Sequence, residues 1–395
     1  MKTASITNRL AGLGGAKWDV HLRAREKARA GADIIEMTIG EPDVATPDAL
    51  QDVAIDAIRR GRTAYSEGRG EGNLLSALAD HYTTTCGRRF TEANVLCLPG
   101  TQTALYTALM GMAEHGDDVL VGDPMYATYE GVVRATGANM VPVPLDPAHG
   151  FRMQAEDVAA RITPRTRALL LTSPHNPTGA VMTAQELERL GDLALKHDFS
   201  ILSDEVYEHL VFDGATFVSP LSFPAFADRV VAVSSISKSH AAPGFRSGWC
   251  IGPEAFCAAV LPISETMLFG NQPFIADMTE RAVRDGSAVA DGMRHRFAAR
   301  ADRLAHRLSQ DTVLKVHRPE AGMFALINVE DLGMDGETYA YDLLDHAGVA
   351  VMPGTSFGQG LQNWVRVALT IADAPFASAL DRIVAHATTR ARSAA

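Results

Sequence analysis

The stretch from residue 231 to residue 249 reads VAVSSISKSHAAPGFRSGW and joins an apolar, β-branched run to a single lysine, Lys238. The run at 230–233 is typical of a buried strand, so the lysine follows the end of that strand closely. Burial of an ammonium group is costly, but it lowers the pKa of a lysine that acts as a nucleophilic amine. A lysine that extends its charged end into water is the structural alternative. The rest of the chain has to decide between these two interpretations.

Short apolar runs alternate with helical segments on both sides of this stretch. The runs lie at 95–98, 119–121, 140–143, 168–171, 200–202, 230–233 and 249–251, and the helical segments at 101–114, 126–136, 184–197 and 253–260. This alternation predicts an α/β fold with a mostly parallel central sheet covered by helices on both faces. Such sheets bind ligands beyond the carboxyl ends of their strands. The residues that follow each strand are therefore the candidates for a functional site.

The pattern changes beyond Gly286, where the regular alternation stops. A long helix is predicted, followed by a mixture of strands and helices; the helices lie at 289–309, 337–346 and 375–387, and the strands at 313–316, 323–328, 349–352 and 364–369. This mixture is typical of a smaller α+β domain. We therefore expect a small domain of residues 287–395 joined by an N-terminal segment, residues 1–45, and a large ligand-binding domain of residues 46–286.

Composition excludes several classes of function. A formal net charge of −11 over 395 residues disfavours binding to nucleic acid or to an anionic membrane, because both require a basic surface. No apolar run approaches the roughly 20 residues of a membrane span, and the N-terminus lacks the apolar region of a signal peptide, so a cytoplasmic protein is expected. The spacing of the cysteines fits no zinc pattern, so no metal is expected; they are Cys86, Cys97, Cys250 and Cys257. Three of them lie in apolar runs or strand-like contexts, as small core residues do, which indicates a reducing compartment.

Two of the predicted strands end in residues suited to a phosphate group and an aromatic ring. The first strand is followed by Gly100, Thr101 and Gln102, which begin a helix. Free N–H groups at a helix start, with a glycine that permits close approach, form phosphate sites. The same composition is also common in helix caps that bind nothing. The second strand is followed by Tyr126, whose ring either stacks on a ligand or fills the core.

Two later strands end in polar side chains. Asn176 lies in the turn SPHNPTG (residues 173–179), which either closes the strand or directs the asparagine at a ligand. Asp204 and Tyr207 lie in SDEVY (residues 203–207), where a buried carboxylate needs a positive or hydrogen-bonding partner and a solvated one is simply a loop residue. A phosphate, a ring to be stacked, a protonatable ring nitrogen, a phenolic oxygen and an aldehyde together describe pyridoxal phosphate (PLP).

The motifs named so far resemble those of the class I/II aminotransferases, which are fold-type I PLP enzymes. The resemblance runs from about Gly40 to Thr370 and rests on GEPD (40–43), SPHNPTG (173–179), SDEVY (203–207), SSISKSHAAPGFRSGW (234–249) and WVRVAL (364–369). Within that family, four stretches are most similar to bacterial arginine–pyruvate transaminases. They are WDVHLRA (18–24), DPMYATYEGV (123–132), GFRMQAEDVAARITPRTRA (150–168) and MLFGNQPFIAD (267–277).

The resemblance implies roles around the cofactor ring. It assigns Lys238 as the lysine that forms the Schiff base and carries the proton. Asp204 would pair with the pyridine nitrogen and keep it protonated, which makes the ring an electron sink. Asn176 and Tyr207 would form hydrogen bonds with the phenolic oxygen of the ring. Tyr126 would stack on the face of the ring.

The resemblance also implies residues for the phosphate and the substrate. It assigns the phosphate to Gly100, Thr101, Gln102, Ser235 and Arg246. Tyr65 matches a tyrosine that reaches the phosphate of the neighbouring subunit, which implies a homodimer with shared active sites. Arg366 matches the arginine that binds the substrate α-carboxylate bidentately, with Gly40 and Asn176 beside it. An arginine without a partner in the run WVRVAL would be costly, which favours the functional interpretation.

The implied activity is a ping-pong transfer of an α-amino group from an amino acid to a 2-oxo acid, with arginine and pyruvate as candidate substrates. Recognition of arginine requires an acid near the distal end of the substrate, and Asp19, beside Trp18, is the candidate. A solvated acid at a helix start is an equally acceptable interpretation of Asp19. An aspartate or aromatic aminotransferase and a PLP β-lyase are the alternatives on this scaffold. A dinucleotide-dependent oxidoreductase would need G-x-G-x-x-G after a first strand, which is missing, and a DNA-binding sensor would need a basic module.

Overall fold

The computed structural model describes residues 1–13, 17–268 and 270–394 of the chain; Phe269, within the quoted stretch 267–277, lies outside them. The strands are β1 (Ile35–Glu36), β2 (Val95–Leu98), β3 (Asp118–Asp123), β4 (Asn139–Pro144), β5 (Thr166–Thr172), β6 (Ser200–Asp204), β7 (Val230–Ser235), β8 (Gly248–Ile251), β9 (Lys315–His317), β10 (Phe324–Asn328), β11 (Val349–Ala350), β12 (Met352–Pro353) and β13 (Trp364–Ala368). The helices are α1 (Ser5–Arg9), α2 (Asp19–Arg29), α3 (Asp48–Arg59), α4 (Gly72–Cys86), α5 (Thr101–Met112), α6 (Tyr129–Thr136), α7 (Ala155–Ala159), α8 (Ala184–His197), α9 (Ile236–Ser239), α10 (Glu254–Met267), α11 (Pro273–Asp285), α12 (Ala288–Asp311), α13 (Gly336–Ala347) and α14 (Asp373–Ala394).

A seven-stranded sheet forms the centre of the molecule, in the order β2-β8-β7-β6-β5-β3-β4. Only β8 runs antiparallel to its neighbours, so the prediction of a mostly parallel α/β sheet is confirmed. Alternate residues of each strand enter different cores: Leu169 and Leu171 pack on one face, Ala168 and Leu170 on the other. Both faces are therefore buried, as expected when helices cover a parallel sheet on both sides.

A smaller antiparallel sheet, in the order β12-β13-β10-β9, lies beside the large one. Its core is built with α12, α13 and α14 and also takes residues from α2, such as Val20 and Ala24. The N-terminal segment thus contributes to this core, and β1 pairs in parallel with β11. On this basis we propose residues 1–45 and 287–395 as the small domain and residues 46–286 as the large domain.

Several element boundaries differ from the prediction. The helix predicted from residue 126 begins at Tyr129, because residues 124–128 form a turn that leaves Tyr126 beyond the end of β3. Helix α10, predicted to end at residue 260, continues through Pro262 to Met267. One backbone hydrogen bond is missing at the proline, but the buried face of the helix packs against α5 and β2. Helix α11 was not predicted, although its first residue is the proline typical of a helix start.

The described residues contain neither a disulfide nor a membrane-spanning helix. All four cysteines are free and buried. Among the described residues, none of the helices combines the length and apolar character that crossing a membrane requires.

The capping box predicted at the start of α8 is present, with the Thr183 hydroxyl accepting from the Glu186 N–H and the Glu186 carboxylate accepting from the Thr183 N–H.

Candidate active site

The carboxyl ends of five parallel strands, β2, β3, β5, β6 and β7, border one cavity of about 270 Å³. Phe324 of β10 and Arg366 of β13 close it from the side of the smaller sheet. Most of the predicted site residues line it, namely Gly40, Thr101, Gln102, Tyr126, Asn176, Asp204, Tyr207, Lys238, Arg246 and Arg366. Residues that are far apart in sequence are thus brought together by the rule that parallel strands end at the same edge.

Lys238 is a half-buried amine at this cavity. Its Nζ donates a hydrogen bond to the backbone oxygen of Gly40 at 3.0 Å. Burial lowers the pKa of Lys238 to about 8; the nearby charges of Arg366 and Arg246 lower it further, whereas that of Glu41 opposes the shift. A lysine with this pKa has a substantial uncharged fraction near neutral pH, which an amine nucleophile requires. The alternative of a lysine that extends into water does not fit this environment.

Asp204, at the end of β6, is a buried carboxylate held by hydroxyl and amide donors. The Tyr129 hydroxyl donates to its Oδ2 at 2.7 Å and also shares a 2.7 Å hydrogen bond with Thr172. The backbone N–H of Val206 donates to Oδ1 at 3.3 Å. Burial raises the pKa of Asp204 to about 6, and the two donors oppose that shift. Such a carboxylate can accept a further hydrogen bond from a positively charged group.

One end of the cavity is built for an anion. Helix α5 begins at Thr101. The N–H groups of Thr103 and Ala104 donate to the backbone oxygen of Gly100, which leaves those of Thr101 and Gln102, two residues that line the cavity, as the donors for an anion. Arg246 lies against Gly100, where an added Cβ would meet the guanidinium Nη2 at 2.2 Å, so only glycine fits. The Thr101 hydroxyl is buried and has no hydrogen-bond partner. A helix start, a guanidinium and an unused hydroxyl together form a phosphate site.

The opposite side of the cavity holds a connected set of polar side chains. The Asn176 amide donates to the Tyr207 hydroxyl at 3.4 Å and accepts from Nη1 of Arg366 at 3.1 Å. Nη2 of Arg366 donates to the backbone oxygen of Thr38 at 2.7 Å, while its Nε is buried without a partner. Burial raises the pKa of Tyr207, which keeps its hydroxyl protonated and able to donate.

The guanidinium of Arg366 is only 1% exposed and lies between two aromatic rings. Its central carbon lies 3.8 Å from the ring centre of Phe324 and 4.2 Å from that of Phe357. Among the described residues, no carboxylate forms an ion pair with it, and a buried cation without an anion is costly. The planar fork therefore suits the carboxylate of a ligand. Gly40 is required beside it, because an added Cβ would meet the Phe324 ring at 2.1 Å.

Four of the predicted residues lie outside the lining, and one of them, Gly100, lies beside Arg246 as described above. Ser235 is buried at the end of β7, where its hydroxyl accepts from the backbone N–H of Ser237, and it is Ser237 that lines the cavity. Tyr65 is 88% exposed and borders a separate cavity. Asp19 is exposed at the start of α2 and accepts a hydrogen bond from the Tyr341 hydroxyl. The fold does not bring Asp19 to this cavity, so its role in binding a guanidinium stays a prediction.

Several residues of the site were missed from the sequence. Tyr129 lies three residues after Tyr126, and the two rings meet edge to face at 5.5 Å. The helix predicted from residue 126 gave no reason to expect Tyr129 at the cavity, because the helix begins only at Tyr129. Phe324 and Phe357 come from the smaller domain, and nothing in their local sequence indicates that they enclose an arginine. Trp18 was considered only as a neighbour of Asp19, yet it lines the cavity. Only the folded chain reveals these contacts.

A comparison with protein-family models matches residues 32–383 to the family described as aminotransferase class I and II. The chain belongs to this family. The arginine–pyruvate transaminase of Pseudomonas aeruginosa is 39% identical over 383 residues and covers 97% of both chains. The aspartate/prephenate aminotransferase of Thermus thermophilus is 33% identical over 341 residues, 86% of this chain and 87% of the other. The solved aspartate aminotransferase from Thermus thermophilus with maleate superposes with a TM-score of 0.91 at 32% identity, over 98% of this chain and all of that one.

An aminotransferase needs an amine that moves protons and a group that receives the substrate carboxylate. Lys238 and Arg366 have these properties in one cavity, so the family and the geometry agree. Asp204 adds a buried carboxylate whose orientation depends on Tyr129. That dependence makes Tyr129 a positioning residue of the site.

Substitution of Tyr129→Phe is expected to lower kcat about tenfold while leaving KM unchanged. The change removes one donor to a charged acceptor, worth about 1.5 kcal/mol, but leaves the ring in place. Steady-state kinetics with a fixed donor and acceptor would measure the effect. Tyr106→Phe, on the same side of the sheet in α5, is the matched control, and equal effects of the two substitutions would contradict the role of Tyr129.

Proposed function

We propose that this aminotransferase uses PLP held at Lys238 and transfers the α-amino group of arginine to pyruvate. The observation that carries the proposal is the half-buried Lys238 amine, which shares a cavity with the Asp204 carboxylate and the Arg366 guanidinium. An amine, an acid and a carboxylate receptor around one cavity suit an amino acid that reacts at its α-carbon. The relative that is named an arginine–pyruvate transaminase supports the choice of substrates.

The residues of the cavity fit PLP at each of its functional groups. The start of α5, the unpartnered hydroxyl of Thr101 and the guanidinium of Arg246 would hold the phosphate. Asp204 would accept a hydrogen bond from the protonated ring nitrogen, and Tyr126 would cover the ring. Other contacts would come from Gly100, Gln102, Asn176, Tyr207 and Ser235. Bound PLP supplies an aldehyde for amines and a ring that withdraws electrons from the substrate α-carbon.

The chain's own groups position the substrate and move its proton. Arg366 binds the α-carboxylate, assisted by Asn176, and thereby directs the α-carbon toward Lys238. The Nζ of Lys238, once free and uncharged, accepts the α-proton. Asp204 would hold a proton on the ring nitrogen of bound PLP by remaining ionised, and Tyr207 would donate to its phenolic oxygen. The aromatic walls of the cavity limit the access of water during these steps.

Substitution of Arg366→Lys is expected to lower kcat/KM by about 10²-fold. The reason is that lysine cannot form the bidentate hydrogen bonds that the buried guanidinium makes with the substrate α-carboxylate. The loss should be similar for arginine, alanine and aspartate as donors, since all share the α-carboxylate. Steady-state kinetics with each donor would measure it, with the visible absorption of bound PLP as the control for an intact site. A loss confined to one donor would mean that Arg366 contacts the side chain instead.

The choice of amino donor depends on the outer part of the cavity. Asp204 is the only acidic residue among the described residues that line it, and Asp204 is assigned to the cofactor. An aspartate or aromatic aminotransferase is therefore the second candidate, favoured by the fold match to the aspartate aminotransferase solved with maleate. Comparison of the wild type with Asp19→Asn for arginine against alanine would test whether Asp19 selects the donor; an unchanged preference excludes it.

The experiment that tests the proposed function is the donor profile of the purified, PLP-loaded enzyme. Each amino acid is offered with pyruvate and, separately, with 2-oxoglutarate, and the amino product is quantified. We expect arginine with pyruvate to give the highest kcat/KM. A preference for aspartate or an aromatic donor with 2-oxoglutarate would replace the substrate but retain the reaction. Absence of transfer from every donor would contradict the reaction itself.

We also propose that the active enzyme is a homodimer in which Tyr65 reaches the phosphate of the neighbouring subunit. The 88% exposure of Tyr65 and its distance from the lining of this chain's own cavity support the proposal. Light scattering should give twice the chain mass of 42.3 kDa. Tyr65→Phe should weaken PLP binding about tenfold, since one hydrogen bond to a charged group is lost. A monomer with full activity would contradict the proposal.

A further inference from the structure

A second cluster of ligand-type side chains lies where the turn after β6 meets α4. His81, Glu208 and His209 each bring one ligand atom to within 4.8 Å of the others. Asp204 and Tyr207, on the same turn, line the active-site cavity, whereas Glu208 and His209 line a different cavity of about 370 Å³. No residue lines both cavities among those the structure describes. The cluster is therefore separate from the proposed catalytic machinery.

The cluster combines a half-buried acid, Glu208, with one half-buried imidazole, His81, and one exposed imidazole, His209. The Glu208 side chain is 11% exposed, whereas that of His209 is 40% exposed, so solvent reaches the cluster from one side. His81 projects from the middle of α4 and places its ring 6.3 Å, centre to centre, from that of His209. A metal ion can therefore bind the exposed imidazole of His209 from solvent and then reach the carboxylate of Glu208, which is largely out of water.

Among the described residues, no lysine or arginine forms an ion pair with the acidic side chains at the cluster. Glu205 is fully buried; its Oε1 accepts from the Ser219 hydroxyl at 2.8 Å, but its Oε2 has no hydrogen-bond partner. Glu208 accepts from the Ser234 hydroxyl at 3.0 Å. Among the described residues, neither carboxyl group pairs with a lysine or arginine. One buried and one half-buried carboxyl group without a compensating cation are costly, and a bound divalent ion would compensate them.

We propose that His81, Glu208 and His209 form a site for a borderline divalent transition metal, with Zn²⁺ as the representative ion. Two imidazoles and one carboxylate are a donor set that Zn²⁺ accepts, whereas Mg²⁺ and Ca²⁺ prefer oxygen ligands alone. Metal–ligand bonds of about 2.0–2.2 Å place tetrahedral ligand atoms about 3.3 Å apart. The ligand atoms of the cluster lie within 4.8 Å of one another, so they have to approach each other by rotation of the side chains, above all that of the exposed His209. The bound ion would link α4 to the turn that carries Asp204 and Tyr207.

The test is calorimetric titration of the untagged holoenzyme, freed of metal by a chelator, with Zn²⁺ and separately with Mg²⁺. We expect one equivalent of Zn²⁺ per chain, no comparable uptake of Mg²⁺, and a Tm that rises with Zn²⁺. The double substitution His81→Ala/His209→Ala should weaken Zn²⁺ binding about tenfold or more and abolish the rise in Tm. His306→Ala, at an exposed position of α12, is the matched control and should change neither quantity.

Retention of the visible absorption of bound PLP in the double variant would show that it folds. If it does not fold, His209→Ala alone gives the same comparison, because that side chain is largely exposed. Failure of the wild type to bind an equivalent of Zn²⁺ would overturn the proposal, as would equal binding by wild type and variant. Equal uptake of Mg²⁺ would also overturn it, because the ligands would then be oxygen atoms alone. None of these outcomes depends on transaminase activity.

Discussion

Substitution of Lys238→Ala is expected to lower kcat by about 10⁴-fold, the upper range for the loss of a positioned acid–base group. The side chain is half-buried, its Nζ lies 3.0 Å from the backbone oxygen of Gly40, and the loss of hydration lowers its pKa to about 8. No other lysine lines the cavity among the described residues. Both the covalent attachment of PLP and the movement of the α-proton should therefore be lost, and the visible absorption of the enzyme should change with them.

Lys196→Ala provides the matched control for this experiment. Lys196 is exposed in the last turn of α8, so its removal should leave kcat and absorption unchanged. Addition of a small primary amine should restore part of the activity of Lys238→Ala, because the missing proton carrier is then supplied from solution. A Lys238→Ala enzyme with wild-type kcat would contradict the assignment of the nucleophile.

Substitution of Asp204→Ala is expected to lower kcat on the order of 10³-fold, the magnitude found when one preorganised electrostatic group is removed. The carboxylate is 4% exposed and held by Tyr129 and the Val206 N–H, so no water replaces its charge readily. Without it the ring nitrogen of PLP loses its proton and withdraws fewer electrons. PLP binding should change far less, because the phosphate contacts at Thr101 and Arg246 remain.

Two measurements separate these effects. The kcat comes from steady-state kinetics, and the retention of PLP from the absorption of the enzyme after dialysis. Asp204→Asn keeps the shape of the side chain but not its charge, and it should lose nearly as much kcat as Asp204→Ala. A kcat that barely changes in either variant would refute the role of Asp204, whereas a loss of PLP as large as the loss of kcat would assign it to binding alone.

The central sheet could be predicted from the sequence because its residues obey a local rule. Buried parallel strands are continuous apolar runs, and those at 168–171 and 230–233 were recognisable for that reason. The ends of these two strands and of the run at 200–202 then predicted Asn176, Lys238 and Asp204 as site residues, since parallel strands direct their ends to one edge. The family motifs predicted the class of reaction, which the family match confirmed. Local patterns were sufficient wherever a residue's position depended only on its own strand.

The remaining contacts depend on segments that meet only in the folded chain. Phe324 and Phe357 enclose Arg366 although neither belongs to a recognisable motif. Tyr129 contacts Asp204 because the turn at 124–128 delays the start of α6. Asp19 was chosen from its position beside Trp18, yet Trp18 lines the cavity and Asp19 bonds Tyr341 instead. Which of two neighbouring residues faces the cavity depends on the orientation of the helix, and the spacing of residues in the sequence does not predict that orientation.

The central claim is that Lys238 is the residue to which PLP is attached. The most direct measurement is reduction of the PLP-loaded enzyme with borohydride, followed by digestion and mass spectrometry of the peptides. Reduction converts the linkage between lysine and PLP into a stable bond, so the modified residue is read from the fragment masses. We predict a pyridoxyl phosphate group on the peptide that contains Lys238 and on no other. A modification on a different lysine, or a loaded enzyme without any modified lysine, would contradict the account.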